Sequence, residues 1–63
     1  MKAFVFLTYA DDSEVYFEFK CDDSDHDAYA TLLMVCRGTL MASVAVKVTA
    51  YDEEGFERCQ YVR

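Results

Sequence analysis

The side chains best placed for chemistry are Asp22, Asp23, Asp25 and Asp27, four carboxylates within six residues, with Ser24 and His26 between them. Such a cluster could hold a cation, assist a histidine in moving protons, or present negative charge to a partner. Proton transfer is the weakest of these. The neighbouring carboxylates could raise the pKa of His26, but a lone histidine at a helix start is far more often a solvated residue than a general base. Other reactive types are equally isolated. Cys21, Cys36 and Cys59 are odd in number and show no C-x-x-C spacing, which argues against a disulfide framework or a zinc site. No histidine stands near Cys21 or Cys59 in a recognisable nucleophile motif. Ser13, Ser24 and Ser43 lie outside any G-x-S-x-G elbow. With Gly38 and Gly55 as its only glycines, the chain cannot build a phosphate-cradling loop. The expectation is no catalytic residues, no cofactor, no metal and no enzymatic activity.

Cation binding fails on spacing. Asp23-x-Asp25-x-Asp27 resembles the opening of an EF-hand loop. However, Ala28 stands where that loop needs glycine, and Met34 where it needs a bidentate glutamate. Charge presentation is left. The net charge is −6, from twelve acids against six bases, and the sequence pI is near 4.4. Lys2, Lys20, Arg37, Lys47, Arg58 and Arg63 are scattered singly, so no basic stripe exists to neutralise phosphates. Nucleic acid and anionic membranes are repelled, and basic protein surfaces are attracted. The absence of a leader pattern or an eighteen-residue apolar run predicts a soluble, cytoplasmic protein with reduced thiols.

The elements that must position these groups follow from periodicity. Residues 1–63 read as one small domain, 54% hydrophobic, 16% aromatic and free of proline. A chain this short buries only about 60% of its unfolded surface, so its stability margin is thin. Residues 2–9 are apolar on both faces, as in a strand covered on two sides. A polar turn, Ala10-Asp11-Asp12-Ser13, follows. Residues 14–20 alternate cleanly, with Val15, Phe17 and Phe19 on one face. They predict an edge strand whose charges discourage pairing with foreign edges. Ser24 reads as an N-cap for a helix over about residues 25–37, with Asp25 and Asp27 in its first turn. Tyr29, Leu32, Leu33 and Cys36 supply its buried face, and Gly38 a C′ stop. Residues 39–42 fit a loop, an extra helical turn or a strand start. Residues 43–51 alternate again, with Val44, Val46, Val48 and Ala50 inward. Asp52-Glu53-Glu54-Gly55 makes a turn, and residues 56–62 a last strand.

The predicted fold is α+β, in the order ββαββ: a four-stranded, mostly antiparallel sheet with one helix on one face. The first strand should be internal, and the order 2-1-3-4 or 2-1-4-3 would put it there. Asp22, Asp23, Asp25 and Asp27 should then gather with Asp52, Glu53 and Glu54 at one pole, opposite the Asp11-Asp12 turn. Phe4, Phe6, Tyr16, Tyr51 and Tyr61 are expected on the sheet face that the helix leaves open. Turns and helix starts attract aspartate for local reasons, but an exposed aromatic face usually marks an interface.

In size, acidity and lack of catalytic equipment the chain looks like the small proteins that phages make against host defences, including anti-CRISPR proteins and DNA mimics. The resemblance is one of kind, and no motif carries it. It implies a viral inhibitor, acting in a host cytoplasm, that binds a basic nucleic-acid-handling protein such as a nuclease or a CRISPR complex. The pole acids and Tyr16, Tyr51 and Tyr61 would make the contact. The alternative is a homodimeric structural or regulatory module, pairing through an aromatic face centred on Phe4 and Phe6. A small-molecule site has little room in 63 residues.

Overall fold

The computed structural model describes residues 1–21 and 27–63. It contains β1 (Lys2–Thr8), β2 (Glu14–Lys20), α1 (Ala28–Ala42), β3 (Lys47–Asp52) and β4 (Glu57–Val62), in the predicted ββαββ order. All pairings are antiparallel, and the strand order is β2-β1-β3-β4. That order is one of the two expected, and it places the doubly apolar β1 inside the sheet. Ala3, Val5 and Leu7 point to the helix side and are buried, while Phe4 and Phe6 on the reverse are half-buried.

The two hairpin turns share one geometry. In the first, Tyr9 N–H donates to Ser13 O and Asp12 N–H to Tyr9 O, both at 2.9 Å, with Asp12 at φ 68°. In the second, Asp52 N–H donates to Phe56 O at 2.9 Å and Gly55 N–H to Asp52 O at 3.0 Å, with Gly55 at φ 87°. Each turn needs a left-handed residue at its fourth position. Glycine meets that need without steric cost, and aspartate is among the few other residues that tolerate it. Asp11 steadies the first turn by accepting from Ser13 N–H at 3.0 Å and Ser13 Oγ at 2.6 Å. Those Ser13 bonds, side chain first, hold the Asp11 carboxyl below its usual range.

The helix differs from the sequence expectation at both ends. It begins at Ala28, with Asp27 in the N-cap position making no side-chain cap bond, and Thr31 N–H donating to Asp27 O at 2.8 Å. Ser24, expected as the cap, and Asp25, expected in the first turn, lie outside the described residues. Gly38 does not end the helix, which runs on to Ala42. Glycine inside a helix costs about 0.5–1 kcal/mol relative to alanine. The next turn offsets that by burying Leu40, which continues the spacing of Leu32 and Cys36. Tyr29, expected in the core, is 47% exposed and donates its hydroxyl to Arg58 O at 3.1 Å.

Arg63 closes the far end of the helix. Its guanidinium donates through Nη2 to Leu40 O and, at 2.8 Å, to Ser43 O, and through Nε to Ala45 O at 2.9 Å. Leu40 O is one of the carbonyls that a helix end leaves without an intrahelical donor, and Ser43 and Ala45 follow it, so the clamp takes the place of the glycine stop. The segment after the helix turns inward at Ala45, which is buried, and strand pairing begins at Lys47 rather than at Ser43. Val44, expected to face inward, is 83% exposed as a result.

The core consists of Ala3, Val5, Leu7, Leu32, Cys36, Leu40, Ala45, Val48 and Ala50, with Tyr9, Phe19, Cys59 and Tyr61 packed against it. The helix lies chiefly over β3 and β4. A helix about 10 Å across covers roughly two strands spaced about 4.8 Å apart. Val15 and Phe17 of β2, expected beneath it, are 51% and 38% exposed.

Candidate partner-binding surface

On the helix-free face, β1, β2 and β3 bring together three rings that are far apart in sequence. Register sets Phe6 opposite Tyr16 on β2 and Phe4 opposite Tyr51 on β3. The Phe6 and Tyr16 rings stack with centroids 5.2 Å apart, and Phe6 meets Tyr51 edge-on at 5.6 Å. Both distances fall in the favourable range for aromatic pairs. With Phe4, these rings line an open depression of about 560 Å³ whose rim is Asp52, Glu53 and Gly55. The aromatic surface and part of the acidic pole are therefore one continuous feature.

Around the corner, Met1, Lys2, Asp52, Glu53, Glu54 and Arg58 line a second hollow of about 540 Å³. Its position confirms that the β3–β4 turn lies beside the start of β1. The end of β2 lies there too, because Lys20 pairs with Lys2 as Asp52 pairs with Ala3. The Asp11-Asp12 turn sits at the other end. Asp27 is exposed at the helix start, which Tyr29 ties to Arg58. Asp22, Asp23 and Asp25, together with His26, lie outside the described residues.

The carboxylates are not equivalent. Asp52 is committed to its own turn: Oδ1 accepts from Glu54 N–H and Phe56 N–H, each at 2.9 Å, and Oδ2 lies 3.6 Å from Arg58 Nη1. Glu53 and Glu54 are exposed. Glu53 carries the charge of the rim and Glu54 adds to that of the second hollow, while Asp52 shapes the turn. Glu18, on the aromatic side, lies 3.3 Å from Lys20 Nζ and 3.5 Å from Lys2 Nζ. Desolvation works against its ionisation, but Lys20 and then Lys2 prevail and hold its carboxyl below the usual value. Lys2 also sits 5.6 Å from the centroid of the Phe4 ring, within cation–π range.

Tyr61 is not part of this surface. It pairs with Val48 and packs against the core on the helix side. A register shift between Ala50 and Tyr51 puts Tyr51 opposite Glu57, so the parity of β4 cannot be counted back from the turn. Sequence reasoning also missed Phe56, which it placed in the last strand. Phe56 belongs to the turn and is 65% exposed beside the acids. Its position directly after Gly55 was the available signal.

The thiols are disposed for packing. Cys36 is buried, and Cys59 Sγ donates to Cys36 Sγ at 3.3 Å. Burial first, and the Cys59 contact second, push the Cys36 thiol from its ordinary 9.0 up to about 12. Among the described residues no cluster of histidine, cysteine, aspartate and glutamate could hold a metal, and no helix is long and apolar enough to cross a membrane. Comparison with known protein families, with characterised proteins and with solved structures finds no match to this chain.

Proposed function

We propose that this protein is a non-enzymatic interaction module that offers its acid-rimmed aromatic depression to a basic protein, and that it inhibits a nucleic-acid-handling partner by occupying that partner's basic groove. The continuity of Phe4, Phe6, Tyr16 and Tyr51 with Asp52 and Glu53 around one depression supports this reading. An arginine from the partner fits both halves of the feature. Its guanidinium plane is attracted to the tyrosine and phenylalanine faces, and its charge to Glu53 and Glu54. Arginine is also the residue with which such partners grip phosphate, so occupying it here removes it from nucleic acid. The net charge of −6 would steer association and make binding salt-sensitive. In this reading the protein acts as small phage inhibitors of CRISPR complexes or DNA mimics do, in the cytoplasm of a host.

The test is a pull-down from a lysate of a bacterium carrying CRISPR-Cas systems, at low and high salt, using the native chain, Glu53→Lys/Glu54→Lys and Tyr51→Ala. The expected result is a basic protein that is captured at low salt, lost at high salt, lost to both variants, and displaced by its own nucleic acid. Capture that ignores salt, or that survives both variants, overturns the reading.

A further inference from the structure

We propose that two copies of this chain pair edge to edge along β2, antiparallel and centred on Phe17, so that their sheets join into one. The backbone permits it. Met1 and Cys21 exchange both backbone hydrogen bonds, and Tyr9 N–H donates to Ser13 O at the other end of the hairpin. The β1–β2 register between those points is unbroken. The odd-numbered residues of β2 therefore direct their N–H and C=O groups at β1, and Glu14, Tyr16, Glu18 and Lys20 direct theirs outward. A two-fold axis at Phe17 sets outward groups against outward groups over the whole strand.

The side chains select that register. Centred on Phe17, Glu14 of each copy lies opposite Lys20 of the other, and Tyr16 opposite Glu18. On the helix side, Val15 meets Phe19 and Phe17 meets its own counterpart, so apolar groups face only apolar groups. A slip to either neighbouring permitted register loses this. Centring on Tyr16 sets Glu14 against Glu18, and centring on Glu18 sets that carboxylate against itself. Opposite charges directly across a ladder stabilise and like charges destabilise. The charges of β2 thus favour the register that overlaps the whole strand over either neighbour.

The uneven seat of the helix supplies a second reason. Because α1 lies over β3 and β4, Val15 and Phe17 stay exposed on the helix side of each monomer. Joining two β2 edges places both apolar strips in one trough flanked by the two helices. The opposite edge is less suited. β4 carries the register shift against β3, and the carbonyl of Arg58 accepts from the Tyr29 hydroxyl. The perpendicular two-fold axis also puts both aromatic depressions on one face of the joined sheet, although the pairing does not depend on what those depressions bind.

The pairing is tested by sedimentation equilibrium of the native chain, of Glu14→Lys, of Lys20→Glu, and of the two variants mixed. The native chain should dimerise. Each variant alone converts two attractive pairs into two repulsive ones and should weaken the dimer by roughly tenfold or more. The mixture restores both pairs, because the lysines of one variant face the glutamates of the other, and should recover a heterodimer of native strength. Amide exchange on the native chain gives a readout free of mutation. The N–H groups of Tyr16 and Glu18 should exchange more slowly as concentration rises. A native chain that stays monomeric at millimolar concentration, a dimer indifferent to both reversals, or a mixture no stronger than its parts would overturn the proposal.

Discussion

Arg63→Ala is the perturbation that most directly tests how the helix is held. The guanidinium donates to three backbone carbonyls, those of Leu40, Ser43 and Ala45, where the helix ends and the chain turns into β3. A hydrogen bond contributes about 0.5–1.5 kcal/mol net, and more when one partner is charged. Water can replace part of the clamp on its exposed side, so the three bonds together are worth about 1.5–3 kcal/mol. A chain of 63 residues has a total stability of about 3–9 kcal/mol. The loss is thus a large fraction, and at about 4–8 °C per kcal/mol for a domain this size it lowers Tm by about 6–24 °C. Arg63→Lys separates geometry from charge. Lysine keeps the favourable interaction with the helix dipole, about 0.3–1 kcal/mol, but cannot span the three acceptors as a planar fork. It should therefore recover only a minor part of the loss. Thermal unfolding followed by circular dichroism reads the stability, and amide exchange in the last helical turn locates it. A fall in Tm of less than about 2 °C for Arg63→Ala, or full rescue by lysine, would refute the clamp.

Other substitutions probe the turns, the core and the thiol. Asp12→Gly should hold or raise stability, because it relieves a left-handed residue at φ 68°. Gly55→Ala at the equivalent position, φ 87°, should lower stability by about 1–2 kcal/mol in urea unfolding. Thr49 is buried and its Oγ1 has no hydrogen-bond partner among the described residues, so Thr49→Val should raise the urea midpoint. Leu32→Ala removes the largest fully buried side chain and should cost about 2–5 kcal/mol. Folded Cys36 holds its proton up to about pH 12, whereas the unfolded thiol loses it near the ordinary 9.0. Between those values the unfolded state binds fewer protons, so stability should fall as pH rises above 9.0 and be unaffected by this group below it. Under native conditions at pH 8, mass spectrometry after iodoacetamide treatment should find Cys36 unmodified until denaturant is added.

The amino-acid sequence by itself determined the element order, the internal place of β1 and the class of the fold. These follow from local periodicity: apolar residues on both faces of β1, strict alternation in β2, and aspartate or glycine at each turn. It also placed Phe4, Phe6, Tyr16 and Tyr51 on one face, because side-chain parity along an unbroken strand is a local property. The tertiary structure decided what depends on distant partners. Gly38 looked like a stop because it is a good one in isolation, yet the helix passes through it to bury Leu40 and to meet the carbonyl clamp of Arg63. Tyr61 changed face because a bulge in the pairing of β3 with β4 altered the count. Asp52 was indistinguishable in the sequence from Glu53 and Glu54, and only the folded turn commits its carboxylate to backbone amides. The bare flank of β2 was likewise invisible, since periodicity tells which face of a strand is apolar but not whether a helix is wide enough to cover it.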